Sequence, residues 1–171
     1  MGGMYILGHV GLTAAAAHAV DRETDLRLPM LFSLLPDLID KPLFLLLPEL
    51  AHGSTRNLGH SLAGAAAVLA ILLALRLRVG RPVLLWACYA GHLLLDRLWL
   101  VDGPVVFFWP LLGRFPHWSP RTPHLLAYNV AGEAIGLVLL LVLFRTRIVA
   151  GRQSRRADRR CAGAAPDTAS S

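Results

Sequence analysis

His92 and Asp96 stand four residues apart in the run Ala90-Gly91-His92-Leu93-Leu94-Leu95-Asp96, inside an otherwise apolar stretch at residues 82–100. On a helix that spacing stacks the two side chains on one face. An imidazole nitrogen and a carboxylate oxygen are a common ligand pair for zinc and similar divalent ions. An uncompensated carboxylate in hydrocarbon costs at least a few kcal/mol, so Asp96 is expected to have a partner. The plainer alternative for the pair is a hydrogen bond between helices, which polar side chains also make in lipid.

Further residues of the same chemistry recur in equally apolar settings. Asp37 and Asp40 follow Pro36 at a three-residue spacing that aims both the same way on a helix. A proline and an acid suit a helix's first turn, but capping explains one carboxylate better than two. Two close carboxylates repel unless a cation lies between them or one keeps its proton, and Lys41 or a metal ion supplies such a cation. His60 opens an apolar helix in Thr55-Arg56-Asn57-Leu58-Gly59-His60-Ser61-Leu62, as a ligand or as a solvated interfacial histidine. Arg56, one turn earlier, carries the planar fork that binds an anionic substrate group. His9, between Gly8 and Val10-Gly11, has small neighbours that admit another helix or a ligand. His18 points to nearly the opposite face and is read as a boundary residue. Glu133, with Asn129 one turn before and Gly132 and Gly136 nearby, is a ligand, a general base or a carboxyl bonded between helices. His52, His117 and His124 fall in loops and are read as solvated.

These residues need helices to position them. The 171 residues make one domain, and a composition 55% hydrophobic and 16% charged points away from a soluble globule. Apolar stretches occupy residues 4–20, 28–50, 61–75, 82–100 and 125–144, against the ~20 residues that cross a bilayer core. The expectation is an all-α polytopic membrane helix bundle of about five segments, the second broken between Pro36 and Pro42. Broken backbone at membrane depth persists only where protein or water surrounds it. Residues 101–124 hold Pro104, Pro110, Pro116, Pro120 and Pro123, too many for a helix; an ordered external loop anchored by Phe107, Phe108, Trp109 and Trp118 is expected. Ala17-His18-Ala19 has the form of a signal cleavage site. The preceding segment lacks Lys and Arg, however, and His9 interrupts it, so it is read as retained. Cys88 and Cys161 lie in unlike settings, and no disulfide is expected.

Arginines orient the bundle. Arg76, Arg78 and Arg81 join the third and fourth stretches, and Arg145, Arg147, Arg152, Arg155, Arg156, Arg159 and Arg160 follow the fifth. The positive-inside rule makes both regions cytoplasmic, with the N-terminus outside. Residues 1–146 are then the membrane domain and 147–171 a basic, disordered cytoplasmic tail, with membrane lipids rather than nucleic acid as partners. On this topology His9, His60, His92, Asp96 and Glu133 fall in the outer half of the bilayer, and Asp37 and Asp40 lie within reach.

The ordered set Gly8-His9, Leu35-Pro36-Asp37-Leu38-Ile39-Asp40, Gly59-His60-Ser61-Leu62, Gly91-His92-Leu93-Leu94-Leu95-Asp96 and Trp109-Pro110 resembles the YdjM-like family of bacterial inner-membrane proteins. The family is described as metal-dependent hydrolases. It looks distantly similar to the all-helical zinc phospholipase C and P1 nuclease group, which hold zinc through His, Asp and Glu from several helices. Thr55 and Gly59 depart from it, standing where the family often has His and Thr. The reading that follows has His9, Asp37, Asp40, His60, His92 and Asp96 as ligands of a divalent ion, with zinc first among them. Glu133 and Asp40 are the catalytic candidates, and Arg56 is the substrate-binding one. The expected activity is hydrolysis of a phosphoester or other ester bond in an amphiphile at the outer face of the inner membrane. The alternatives are a non-enzymatic ion-binding or transport protein, or an inactive family member.

Overall fold

A computed structural model describes residues 6–51, 54–74, 82–97, 103–112 and 126–163, with backbone alone for 103 and 150–163. These residues form α1 (Ile6–Val20), α2 (Arg27–Leu46), a 3-10 turn (Leu58–His60), α3 (Leu62–Ala74), α4 (Pro82–Leu95), α5 (Gly103–Phe107) and α6 (Leu126–Gly163). Among the described residues there is no strand, and the all-α expectation holds.

α1 and α6 run parallel and close together because glycines face each other across the contact. A Cβ on Gly11 would run into the Gly136 carbonyl, and one on Gly136 into the backbone of Leu7 and Gly8. Small residues at such a crossing let backbones approach. Below it, Val10 and Ala14 pack with Leu26, Leu140 and Leu143. At the far end Arg147 of α6 donates to the carbonyls of Thr24 (2.7 Å) and Arg22 (3.3 Å) in the α1–α2 turn. α2 then returns antiparallel to α1, and Ser33 Oγ donates to the His9 carbonyl at 3.1 Å. A second core joins α2, α3 and α4 through Leu35, Ile39, Ala65, Tyr89 and Leu93.

Local chemistry sets the helix ends nearest the site. Ser61 caps α3, its hydroxyl accepting from Gly64 N at 3.0 Å, as an N-cap serine does three residues before its donor. α4 stops because Arg97 takes a left-handed backbone, φ 54°, a conformation that usually falls to glycine after a helix. Its guanidinium lies 4.2 Å from the Tyr128 ring centroid, which helps hold it there.

Three expectations change. α2 is continuous, with Pro36 and Pro42 inside it. Each proline removes one helical hydrogen bond, and packing against α1, α4 and the 3-10 turn holds the remaining turns. Residues 103–107 are helical; Pro104 falls in the first turn of α5, where its missing N–H has no helical partner to lose. α6 continues to Gly163, so the basic segment is helical to that point, in keeping with the high helix propensity of its Arg and Ala. Only Leu126–Val149, 24 residues, has both the length and the apolarity of a membrane span among the described residues. The apolar helices Ile6–Val20, Leu62–Ala74 and Pro82–Leu95 are shorter, and the 20-residue α2 carries Asp37, Asp40 and Lys41. The expected loop residues Trp118, His117 and His124, together with His52 and Cys161's surroundings, lie outside the described residues or side chains.

Candidate metal centre

The end of the bundle opposite Arg147 gathers side chains from α1, α2, the 3-10 turn and α4. His9, His60, His92 and Asp96 are all buried, while Asp37 keeps 23% of its side chain exposed and forms the accessible edge. His60 Nε2 faces His92 Nε2 at 3.3 Å, Asp96 Oδ2 at 3.6 Å and Asp37 Oδ1 at 3.7 Å. His9 Nε2 lies 3.3 Å from Asp96 Oδ1. The two triads His9, His92, Asp96 and Asp37, His60, His92 each bring their ligand atoms within 4.8 Å of one another and share His92.

Those spacings test the fit of a metal. Ligand atoms at about 2.0–2.1 Å from a tetrahedral ion are about 3.3–3.4 Å apart. The observed 3.3–3.7 Å separations are the edges of such a sphere, slightly expanded. The donor types agree, since imidazole nitrogen and carboxylate oxygen suit zinc and its neighbours. His92 Nδ1 is buried with no hydrogen-bond partner among the described residues, so no protein acceptor commits that ring to one tautomer.

Asp40, expected as a ligand and catalytic group, stands behind His60. Its oxygens accept from the backbone N–H groups of Asn57 (2.7 Å), Gly59 (2.8 Å) and His60 (3.1 Å) and from His60 Nδ1 (2.7 Å). With both oxygens engaged as acceptors, Asp40 folds the 3-10 turn around itself and turns Nε2 of His60 inward. Glycine at 59 permits this packing, because a Cβ there would meet the Pro36 carbonyl oxygen at 2.5 Å.

Arg56 is buried and pairs with Asp96 Oδ2 at 2.8 Å, so it faces the cluster rather than solvent. Lys41 Nζ takes the other oxygen of Asp37 at 2.6 Å; it neutralises that carboxylate alone, while backbone donors and His60 serve Asp40. Glu133 is outside the cluster. It accepts from Gly8 N at 2.7 Å and Leu7 N at 3.3 Å and so caps α1's first turn. His18 lies at the Arg147 end, 3.4 Å from that guanidinium.

The structure adds residues that sequence reasoning passed over. Ser54 bonds the backbone of Arg56 on both sides, and Asn57 Nδ2 donates to Ser54 O at 2.8 Å. Tyr89, fully buried, donates to the Gly59 carbonyl. Ser33 and Thr13, 3.1 Å apart, steady the turn of α1 that carries His9. A lone hydroxyl within Met30-Leu31-Phe32-Ser33-Leu34-Leu35 was the available signal for Ser33.

The described residues thus combine one helix of membrane-span length and apolarity with a buried His/Asp cluster at one end of the bundle. The family model for the YdjM inner membrane protein matches residues 4–157, and the chain belongs to that family. No curated protein and no solved structure matches it.

Proposed function

We propose that the chain is a multi-pass, membrane-bound, metal-dependent hydrolase of phosphoester or other ester bonds in an amphiphilic substrate at the outer face of the inner membrane. The observation that carries this reading is the convergence of three imidazoles and two carboxylates, His9, His60, His92, Asp37 and Asp96, in two triads that share His92. A divalent ion held there, zinc first by donor type, would polarise a phosphoryl or acyl oxygen and make water a nucleophile near neutral pH.

The chain's own groups have separable tasks. Asp40 orients His60, as a carboxylate behind a ligating imidazole does. Arg56 balances Asp96 and offers its remaining N–H donors to an anionic group of the substrate. Asp37, at the accessible edge, marks the side from which substrate and water reach the cluster. The ligand chemistry is of the kind used by the zinc phospholipase C and P1 nuclease group, which supports a hydrolytic reading. An ion path would need ionisable residues spread through the membrane depth. Here they gather at one end, which favours a pocket.

The test is elemental analysis of detergent-purified protein beside a variant carrying His92→Ala and Asp96→Ala, followed by assay of both against phosphoester and acyl-ester lipids. Stoichiometric metal and lipid cleavage in the wild type, both lost in the variant, are expected. Negligible metal in both proteins sinks the metal centre. Bound metal without turnover across the panel moves the reading to an ion-binding protein.

A further inference from the structure

Beside the cluster, a groove of about 450 Å³ runs between α1 and α4. Thr13, Ala17 and Val20 line one wall and Ala87, Gly91 and Leu94 the other; Thr13 and Cys88 are its only side chains with a polar atom, and both are buried. Its near end is one helical turn from His9 and adjoins the residues next to His92 and Asp96 in α4. Its far end, at Val20 and Leu84, lies toward the Arg147 end of the bundle. Taking 1.5 Å of rise per residue, Leu84 to Leu95 spans about 16 Å, so the groove is elongated along the helix axes. A hydrocarbon chain matches that length and the apolar lining.

We infer that this groove holds an acyl chain of a membrane phospholipid whose headgroup lies at the metal cluster, and that Gly91 sets how much chain is admitted. The inference rests on the reading of the cluster as a metal-dependent ester- or phosphoester-cleaving centre. Charge complementarity supports the choice of occupant. One end of the groove adjoins the helix turns that carry His9, His92 and Asp96, the last paired with Arg56, and so lies nearest the groups that suit an anionic phosphate; the rest is apolar and suited to hydrocarbon. The groove also descends from the cluster along the helix axes, as an acyl chain descends from its headgroup. Gly91 has the signature of a position kept small for a ligand: a Cβ there meets no atom within 4 Å, unlike those on Gly11 and Gly136, which meet backbone. Glycine inside a helix costs about 1 kcal/mol relative to alanine, and at Gly91 no protein packing requires it.

The experiment uses the full-length, zinc-loaded protein in vesicles of anionic phospholipid doped with a phospholipid carrying a diazirine in its acyl chain. Photolabelling is expected to concentrate on the peptides of α1 and α4 that line the groove. Gly91→Leu projects a side chain into the groove, and groove labelling should fall by about tenfold or more, with bound zinc unchanged and cleavage shifted toward short-chain lipids. Gly91→Ala, which meets no neighbouring atom, should fold, bind zinc and show a smaller shift in the same direction. Labelling spread evenly over the apolar helices, or unaltered by both substitutions, overturns the acyl site. Cleavage of lipids with an unaltered chain-length profile in Gly91→Leu also overturns it while leaving the hydrolase intact. Groove labelling that is lost in Gly91→Leu but accompanied by no cleavage in the wild type leaves the acyl site standing and removes the hydrolase.

Discussion

His60 Nδ1 lies 2.7 Å from Asp40 Oδ2, and that carboxylate also accepts three backbone N–H groups from residues 57, 59 and 60. Since carboxylate oxygens at such a junction only accept, Nδ1 carries a proton, and Nε2 is left as the nitrogen that faces His92, Asp96 and Asp37 and would ligate an ion held among them. One side chain thus folds the turn and aims the ligand within it.

Asp40→Asn tests that double role. An amide places a donor among donors and leaves buried N–H groups underserved, at a cost of about 1–3 kcal/mol. Loss of the orienting carboxylate should weaken metal binding by about 10- to 100-fold. Thermal unfolding in detergent and chelator competition measure the two effects separately. Wild-type metal affinity in the variant would remove Asp40 from the positioning role.

Asp96→Asn is expected to be harder on the fold than a carboxylate-to-amide change usually is. Arg56 Nη2 sits 2.8 Å from Asp96 in a buried pair, and removing one member of such a pair costs about 3–5 kcal/mol. Adding Arg56→Met to Asp96→Asn should recover much of that stability without restoring metal. Equal thermal stability of the wild type and the single variant would show that the pair is not held in this way.

Glu133→Gln should leave both bound metal and turnover unchanged. The Glu133 carboxylate caps α1 through Gly8 N and Leu7 N, and an acid at a helix N-terminus contributes about 0.3–1 kcal/mol. A small fall in thermal stability is the expected result. A large loss of rate with metal retained would return Glu133 to the role of general base.

Arg147 ties α6 to the α1–α2 turn through Thr24 O at 2.7 Å, so both should lie on one side of the membrane. In a background without Cys88 and Cys161, Glu23→Cys and Ser154→Cys should resist an impermeant thiol reagent in intact cells, whereas Ser119→Cys should react. Labelling of Glu23→Cys or Ser154→Cys in place of Ser119→Cys would invert the topology and with it the outer-face site.

Residue type and period were enough to read the helices and the candidate ligands. Apolar runs placed α1, α3 and α4, and the start of α6, to within a few residues, because burial of an apolar helix face leaves a local pattern. The His92–Asp96 spacing placed both on one face at the end of α4 because a helix turn is a local geometry too. The division of labour among those residues was not legible in this way. Asp37 and Asp40 are equivalent in spacing, yet one lies at the cluster's edge and the other beneath a turn, because the partner of a carboxylate is chosen by residues 17 to 23 positions away. Glu133 looked like His60 in its apolar setting, but its distance from the cluster depends on where α6 crosses α1, which Gly11 and Gly136 decide by close contact. The continuity of α2 through two prolines likewise depends on neighbours that no local rule counts. Sequence determined which groups were available and which helices carried them; long-range packing decided which atoms meet, since a hydrogen bond or a coordination sphere is set by distances of a few tenths of an ångström between segments far apart in the chain.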